Sequence, residues 1–198
     1  VLDFDLHIAM NEIVSLLKYK IKEKKLYLKE NIAPNVPQWV QGDKYRFKQV
    51  LINLFDNAVK FTETGGITLN VFLIDETPTH TKIKFEIIDS GIGISEANIN
   101  KLFKSFSQVD ASTTRLYGGS GLGLVISKNI AQLMGGELGV DSEIGKGSNI
   151  WVAINYLKSG QIAKNNEPVH VEEKIEQSQL RILLAEDNPI NQKVAQMH

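Results

Sequence analysis

Two asparagines and a lysine share one face of a predicted helix. Asn53, Asn57 and Lys60 are separated by four and then three residues, and at ~100° per residue this spacing forms a single polar stripe. Carboxamide oxygens beside an ammonium group suit a hard divalent cation and the phosphates that it bridges. The alternative is an ordinary solvated helix face, although helix propensity gives no reason for two asparagines on one stripe. The stripe therefore predicts a cation and phosphate site.

A carboxylate lies at the end of a predicted strand, directly before two glycines. Asp89 ends the run that begins at Lys82, and Gly91 and Gly93 follow it. A carboxylate held at a strand end can accept a hydrogen bond from an exocyclic amine such as that of adenine, and glycines let the backbone approach the ring. Asp and Gly are also common in ordinary turns, so this motif alone leaves both interpretations open.

A second group of glycines, Gly119, Gly121 and Gly123, stands where a helix from Leu122 to Met134 is predicted to begin. Backbone amides at a helix N-terminus bind anions well, which predicts a phosphate site. A dinucleotide fingerprint is excluded because polar sequence, not a strand, precedes the glycines. The Gly-Lys-Gly-Ser run at 145–148 lacks the first glycine that a Walker loop requires at the correct distance.

Apolar periodicity predicts the elements that position these residues. The helix of the polar stripe begins after Asp43, a candidate N-cap, and two half-buried strands follow at Ile67 to Leu73 and Lys82 to Asp89. A hairpin is predicted from the strands Glu137 to Val140 and Asn149 to Tyr156. The core face of the stripe helix is predicted to contain Phe47, Val50, Leu51, Leu54, Phe55 and Ala58, and that of an earlier helix Leu6, Met10, Ile13, Leu17 and Ile21.

The sequence between Ser95 and Gly121 has the polar character of a lid. Ser95 is a candidate N-cap of a short helix that ends at Leu102. Phe103 and Phe106 are predicted to anchor the lid in the core.

In order and spacing these motifs resemble those of sensor histidine kinases. The segment 49–62, Gln-Val-Leu-Ile-Asn-Leu-Phe-Asp-Asn-Ala-Val-Lys-Phe-Thr, is similar to the N box. Residues 89–93 resemble the G1 box, 102–106 the F box, 119–123 the G2 box and 145–148 the last glycine box. The resemblance implies an ATP-binding catalytic domain of α/β (α+β sandwich) class, in which a mixed β-sheet is packed on one face by helices, with a mobile ATP lid.

The resemblance also implies roles for individual residues. Asn57 would ligate Mg²⁺, Asn53 would support the metal and the phosphates, and Lys60 would contact phosphate, so these three form the expected catalytic set. Asp89 would read adenine, and Arg115 would reach a phosphate from the lid. The other expected nucleotide contacts are Gly91, Gly93, Gly119, Gly121, Leu122 and Gly123.

The sequence lacks the phosphoacceptor that the family uses, a histidine in a His-Glu-x-x-Thr/Asn-Pro setting. We therefore expect residues 1–157 to be the catalytic domain, 158–179 a linker, and 180–198 the truncated start of a receiver domain with Glu186 and Asp187 in its Mg²⁺ pocket. The expected partners are an upstream histidine dimerisation and phosphotransfer domain, the receiver domain, and a second copy in a homodimer of the longer protein. Such a parent is a hybrid kinase.

Composition limits the remaining possibilities. The 198 residues carry a formal net charge of −1, which gives no general attraction to nucleic acid. The chain has no cysteine, which suits a cytoplasmic location, although a longer parent could be anchored in a membrane.

Two alternatives stand beside the kinase. An ATP-hydrolysing relative of the gyrase and mismatch-repair type would have a glutamate where this chain has Asn53, and a carboxamide is no general base. A non-catalytic nucleotide sensor is the other alternative, although the N, G1, F and G2 boxes are intact.

Overall fold

The computed structural model of the chain describes residues 1–99, 102–103 and 122–160. In chain order the elements are β1 Leu2–Asp5, α1 Leu6–Glu23, β2 Tyr27–Ile32, β3 Trp39–Gly42, α2 Lys44–Phe61, β4 Gly66–Glu76, β5 His80–Asp89, α3 Glu96–Ile99, α4 Gly123–Leu133, β6 Glu137–Glu143 and β7 Gly147–Lys158.

The described strands form one mixed sheet of seven, in the order β1, β3, β7, β5, β4, β2, with β6 also paired to β7. The β2–β4 pair is parallel and the other pairs are antiparallel. β7 bonds β5 along one edge, whereas its other edge is shared between β6 near its start and β3 at its end. β7 therefore joins β1 and β3 to the rest of the sheet.

Alternation along the strands separates a buried face from an open one. On β5, Ile83, Phe85 and Ile87 are at most 1% exposed, whereas the intervening side chains are half-buried on the opposite face. The helices pack on the buried face, where the Phe47 ring of α2 lies 5.1 Å from that of Phe85. This arrangement confirms the predicted fold class, a mixed sheet covered by helices on one face.

The two long helices pack as their sequences predict, and an aspartate caps the start of each. The side chain of Asp43 accepts a hydrogen bond from the Arg46 amide at 3.0 Å, which confirms the N-cap of α2. In the same way Asp5 caps α1 by accepting from the Ile8 amide at 2.8 Å. The predicted apolar residues of both helices are buried, each at most 4% exposed.

Some elements differ from the prediction. The three short strands β1, β2 and β3 were not predicted, and β4 to β7 extend beyond their predicted ends. Helix α3 is described from Glu96 to Ile99, and residues 100 and 101, which its predicted range to Leu102 includes, lie outside the described residues. Nearly all of the predicted linker and the whole predicted receiver segment lie outside the described residues. None of the helices within 1–99 and 122–160 combines the length and the apolar character needed to cross a membrane.

Candidate functional site

The polar stripe of α2 lies on one continuous helix. Asn53, Asn57 and Lys60 are each half-buried. The apolar stripe of the same helix is at most 2% exposed and faces the sheet. The predicted polar stripe is therefore partly accessible and separate from the core.

Helix α4 contacts the stripe through Gly123 in its first turn and Ser127 in its second. The Asn53 Nδ2 group donates a hydrogen bond to Oγ of Ser127, at 2.8 Å, and Ser127 is only 1% exposed. A side-chain carbon on Gly123 would collide with Oδ1 of Asn53 unless the Asn53 side chain moved. Leu122 is the N-cap residue, and its own side chain makes no capping hydrogen bond. The backbone amides of the first turn therefore lie beside Asn53 at the positive end of the helix dipole.

Asp89 ends β5 with its side chain turned into the protein, where it is 6% exposed. Its Oδ1 accepts a hydrogen bond from the Gly91 amide at 2.8 Å. Burial raises the pKa of this carboxyl above its ordinary value of 3.8, while hydrogen bonds from the Gly91 and Ser148 amides act in the opposite direction. A buried carboxyl group held in this way can accept a hydrogen bond from an amine.

Packing within the chain accounts for both glycines after Asp89. A side-chain carbon on Gly91 would collide with the carbonyl oxygen of Phe61, the last residue of α2, and would lie 2.8 Å from Oδ1 of Asp89. Gly93 has a φ of +68° and lies against the backbone of Glu143. These glycines were expected to let the backbone approach a ring, and that contact stays a prediction.

The end of α2 is held by a residue that the sequence argument missed. Nζ of Lys24 donates to the carbonyl oxygens of Val59, Lys60 and Thr62 at 2.7, 3.1 and 3.2 Å. A cation at a helix C-terminus is favoured by the helix dipole. The ammonium of Lys60 lies 4.9 Å from the centroid of the Phe61 ring. Lys24 thus fixes the helix end that carries Lys60.

Part of the predicted site is outside the described residues. Arg115, Gly119 and Gly121 are in this group, as are most of the predicted lid and its anchor Phe106. Phe103 is described, and it packs against the core as predicted, with the ammonium of Lys128 4.5 Å from its ring centroid.

The structure also identifies site residues that no motif signalled. Ser127 and Ser142 each bond a group of the site, Asn53 in the first case and the Ile94 amide in the second. Ser127 stands four residues after Gly123, so a single serine on the core face of a predicted helix was the only available signal.

The donor set suits Mg²⁺ and a nucleoside triphosphate. Within the described ranges, no three His, Cys, Asp or Glu side chains are close enough to hold a metal. A cation here would depend on carboxamide oxygens and on the phosphates of the substrate, which is a common arrangement for Mg²⁺. Asp89 and the first turn of α4 supply an amine acceptor and anion-binding amides, so the residues fit both groups.

A separate groove of about 620 Å³ lies on the outer side of α1. Its lining includes Ile8, Leu16 and Lys48 and contains none of the predicted site residues. Lys44 and Lys48 bond both oxygens of Glu12, and the two ammonium groups lower the pKa of that carboxyl. The Lys48 ammonium in this lining is already paired with Glu12, and we place the site at α2 and α4.

Comparison with known proteins gives a consistent result. Residues 42–158 match the family described as histidine kinase-, DNA gyrase B- and HSP90-like ATPase. The hybrid signal transduction histidine kinase B of Dictyostelium discoideum is 45% identical over 146 residues, which cover 74% of this chain and 7% of that protein. The signal transduction histidine-protein kinase BarA of Escherichia coli is 41% identical over 152 residues, or 77% of this chain and 17% of BarA.

A solved structure gives the same result for the fold. Full-length ShkA in complex with AMPPNP matches with a TM-score of 0.69 and 29% identity, over 79% of this chain and 31% of ShkA. The chain spans less than a fifth of the length of the two curated relatives. Together with the geometry of α2, α4 and Asp89, these matches show that the chain belongs to the family of histidine kinase-, DNA gyrase B- and HSP90-like ATPases, as an ATP-binding catalytic domain of two-component sensor histidine kinases.

Proposed function

We propose that this domain binds Mg-ATP along α2 and transfers the γ-phosphoryl group to a histidine on a separate dimerisation domain. The observation that supports this most is the contact of the first turn of α4 with Asn53, while the loop after Asp89 contacts the other end of the same helix at Phe61. Asn53 and Phe61 are eight residues apart, about 12 Å along the helix axis. The first turn of α4 and the proposed base acceptor Asp89 would thus lie near opposite ends of one rigid segment.

Each described residue would have a distinct part. Asp89 would accept a hydrogen bond from the adenine amine, Asn57 would ligate Mg²⁺, Asn53 would support the metal and phosphates, and Lys60 would contact a phosphate. Mg²⁺ would neutralise charge on the β- and γ-phosphates. Arg115, from the predicted lid, would add a phosphate contact.

The chemistry requires positioning more than covalent participation. A nitrogen of the acceptor imidazole forms a bond to the γ-phosphorus while the bond to the β–γ bridging oxygen breaks, and ADP leaves. The structure supports this reaction over hydrolysis because the stripe holds carboxamides, and no carboxylate of the stripe could activate water.

The wider assembly is also part of the proposal. Relatives that include a hybrid histidine kinase support an upstream histidine domain and a downstream receiver, with residues 180–198 as the start of the receiver. Homodimerisation and a cytoplasmic location stay predictions.

A transfer assay tests this function. The purified chain with ATP labelled at the γ-phosphate should bind Mg-ATP, hydrolyse it very slowly and remain unlabelled. Adding the dimerisation domain of a close relative should place label on its histidine, and Asn57→Ala should abolish that label. Rapid steady release of phosphate by the chain alone would favour an ATPase instead.

A further inference from the structure

Three polar residues lie in one row across adjacent strands. Asp89 of β5 is opposite Ser148 of β7, and Ser148 is opposite Ser142 of β6. Side chains of directly opposed residues point to the same face of a sheet. Here that face is the one the helices cover, and Asp89 and Ser148 are 6% and 8% exposed. The row connects the proposed base acceptor with the outermost strand of the hairpin.

The hydroxyl of Ser142 is fully used. A serine hydroxyl has one hydrogen and two lone pairs. The hydrogen is donated to the carbonyl oxygen of Gly147 at 2.9 Å, and one lone pair accepts from the Ile94 amide at 2.8 Å. Oγ of Ser148 is 2.9 Å away, and because the Ser142 hydrogen is already engaged, Ser148 is the donor in that pair.

These bonds join three parts of the protein around Asp89, the proposed base acceptor: the loop after β5, β6 and β7. Ile94 belongs to the loop after Asp89, which also receives the Gly145 amide at the Ile92 carbonyl, at 2.9 Å. Ser148 is paired with Asp89 across the two strands, and its amide acts to lower the pKa of the Asp89 carboxyl. Removing the Ser142 hydroxyl would leave two donors and one acceptor without their partner and would free the loop from the hairpin at this point.

We propose that Ser142 is a positioning residue for recognition of the base: its hydroxyl holds the loop after β5 and Ser148 in the arrangement that presents the Asp89 carboxylate to an exocyclic amine. This inference rests on the proposed ATP site. Ser142 acts through Asp89 and Ile94, and among the described residues its hydroxyl bonds Ile94, Gly147 and Ser148.

A pair of isosteric variants tests the role. Ser142→Thr keeps the hydroxyl, whereas Ser142→Val has the same shape without it. Calorimetry with ATP, with inosine triphosphate, which lacks the exocyclic amine, and with tripolyphosphate should give wild-type affinities for Ser142→Thr within about twofold. Ser142→Val should bind ATP about tenfold more weakly, lose the preference for ATP over inosine triphosphate, and bind tripolyphosphate normally. A folded Ser142→Val that keeps the wild-type preference overturns the proposal.

Hydrogen exchange measures the contact itself without nucleotide. The Ile94 amide should exchange slowly in the wild type and in Ser142→Thr and quickly in Ser142→Val, while the Ala33 amide, bonded to Val71 in another part of the sheet, stays protected as a control. An unprotected Ile94 amide in the wild type overturns the proposal, whether or not Ser142→Val folds. A wild type that binds neither nucleotide contradicts the proposed function instead.

Discussion

At the scale of single residues, Asp89 is buried and is expected to bind the adenine amine. Burial and binding favour opposite charge states of its carboxyl group. Burial disfavours the ionised carboxyl group and raises its pKa. Hydrogen bonding to an adenine amine favours the ionised form, because a charged acceptor binds more strongly. Stability and affinity should therefore depend on pH in opposite directions.

Replacing Asp89 by Asn should weaken ATP binding by about 1.5 to 3 kcal/mol, the range for a hydrogen bond to a charged group. The fold should survive, since the substitution removes the charge whose burial is costly and keeps an oxygen for the Gly91 amide. Titration of a fluorescent ATP analogue against both proteins measures the difference. Equal affinities would exclude Asp89 from the site.

The pH dependence follows from the raised pKa of Asp89. The folded protein holds this proton at higher pH than the unfolded chain, so the contribution of the group to stability is greatest below pH 3.8 and is lost as the pH rises through the raised pKa. Adenosine affinity should change the other way, falling as the pH falls through the same pKa. Denaturation and adenosine titrations over this range should show both trends in the wild type and neither in Asp89→Asn.

Substitutions of Asn57 and of Lys60 should affect ligand binding in different ways. Asn57→Ala should remove the Mg²⁺ dependence of ATP binding and abolish transfer, whereas an ordinary surface asparagine would change little, within about 0.5 kcal/mol. Lys60→Ala should weaken triphosphate binding more than adenosine binding and keep the Mg²⁺ dependence. Calorimetry with ATP and adenosine, with and without Mg²⁺, separates these effects. Wild-type behaviour of Asn57→Ala would leave the stripe as a solvated helix face.

At the scale of elements, the site depends on how closely α4 approaches α2. Gly123 has no room for a side chain beside Asn53, although alanine is the better helix former by about 1 kcal/mol. Gly123→Ala should therefore lower Mg-ATP affinity while leaving stability nearly unchanged. In an Asn53→Ala background the same substitution should have almost no further effect, because its consequence is transmitted through Asn53. Additive losses in this double-mutant cycle would show that the two residues act separately.

The sequence predicted the elements whose patterns are long and missed those whose patterns are short. Helices α1 and α2 and strands β4 and β5 repeat their apolar spacing often enough to be identified. Strands β1 and β3 have four residues each, and β2 is an edge strand with exposed or half-buried side chains throughout, so none of them shows alternation.

The residues of the candidate site also fall into those that the sequence predicted and those that it missed. The stripe and Asp89 were identified because their residue types stand at characteristic positions. We missed Ser127, Ser142 and Lys24 because the bond that links each of them to the site joins residues at least 35 positions apart in sequence. Ser142 also makes local bonds. The long-range contacts exist only once the sheet and helices have assembled.

At the scale of the molecule, the two faces of the sheet differ in chemistry. The face that none of the described helices covers carries charged pairs, such as Lys82 with Glu137 and Lys84 with Glu86, both at 2.8 Å. Trp151 on this face is bordered by the Lys84 ammonium 4.6 Å from its ring and bonded to Asp141 at 3.1 Å. The polar groups keep this face compatible with water. The proposed nucleotide site lies on the other side of the sheet, where the helices pack.

Ligand binding should be visible in the stability of the whole domain. A ligand that binds only the folded state at about 100 times its Kd stabilises it by about 2.7 kcal/mol. Saturating Mg-ATP should therefore raise the Tm, and Asn57→Ala should show the same small shift with and without Mg²⁺. Thermal scans with ATP and with Mg²⁺ alone provide the controls. No shift in the wild type would contradict Mg-ATP binding.

The interior place of β7 has a consequence for biosynthesis. β7 is the last described strand to be made, yet β3, and with it β1, reaches the remainder of the sheet only through β7. A growing polypeptide therefore cannot close this sheet until Lys158 has left the ribosome, and its first strands must wait without their inner neighbour. Ribosome-arrested chains with residue 146 just outside the exit tunnel should be cut readily by protease, and those extended past residue 158 should resist. Protection of the shorter chains would show that the earlier strands assemble without β7.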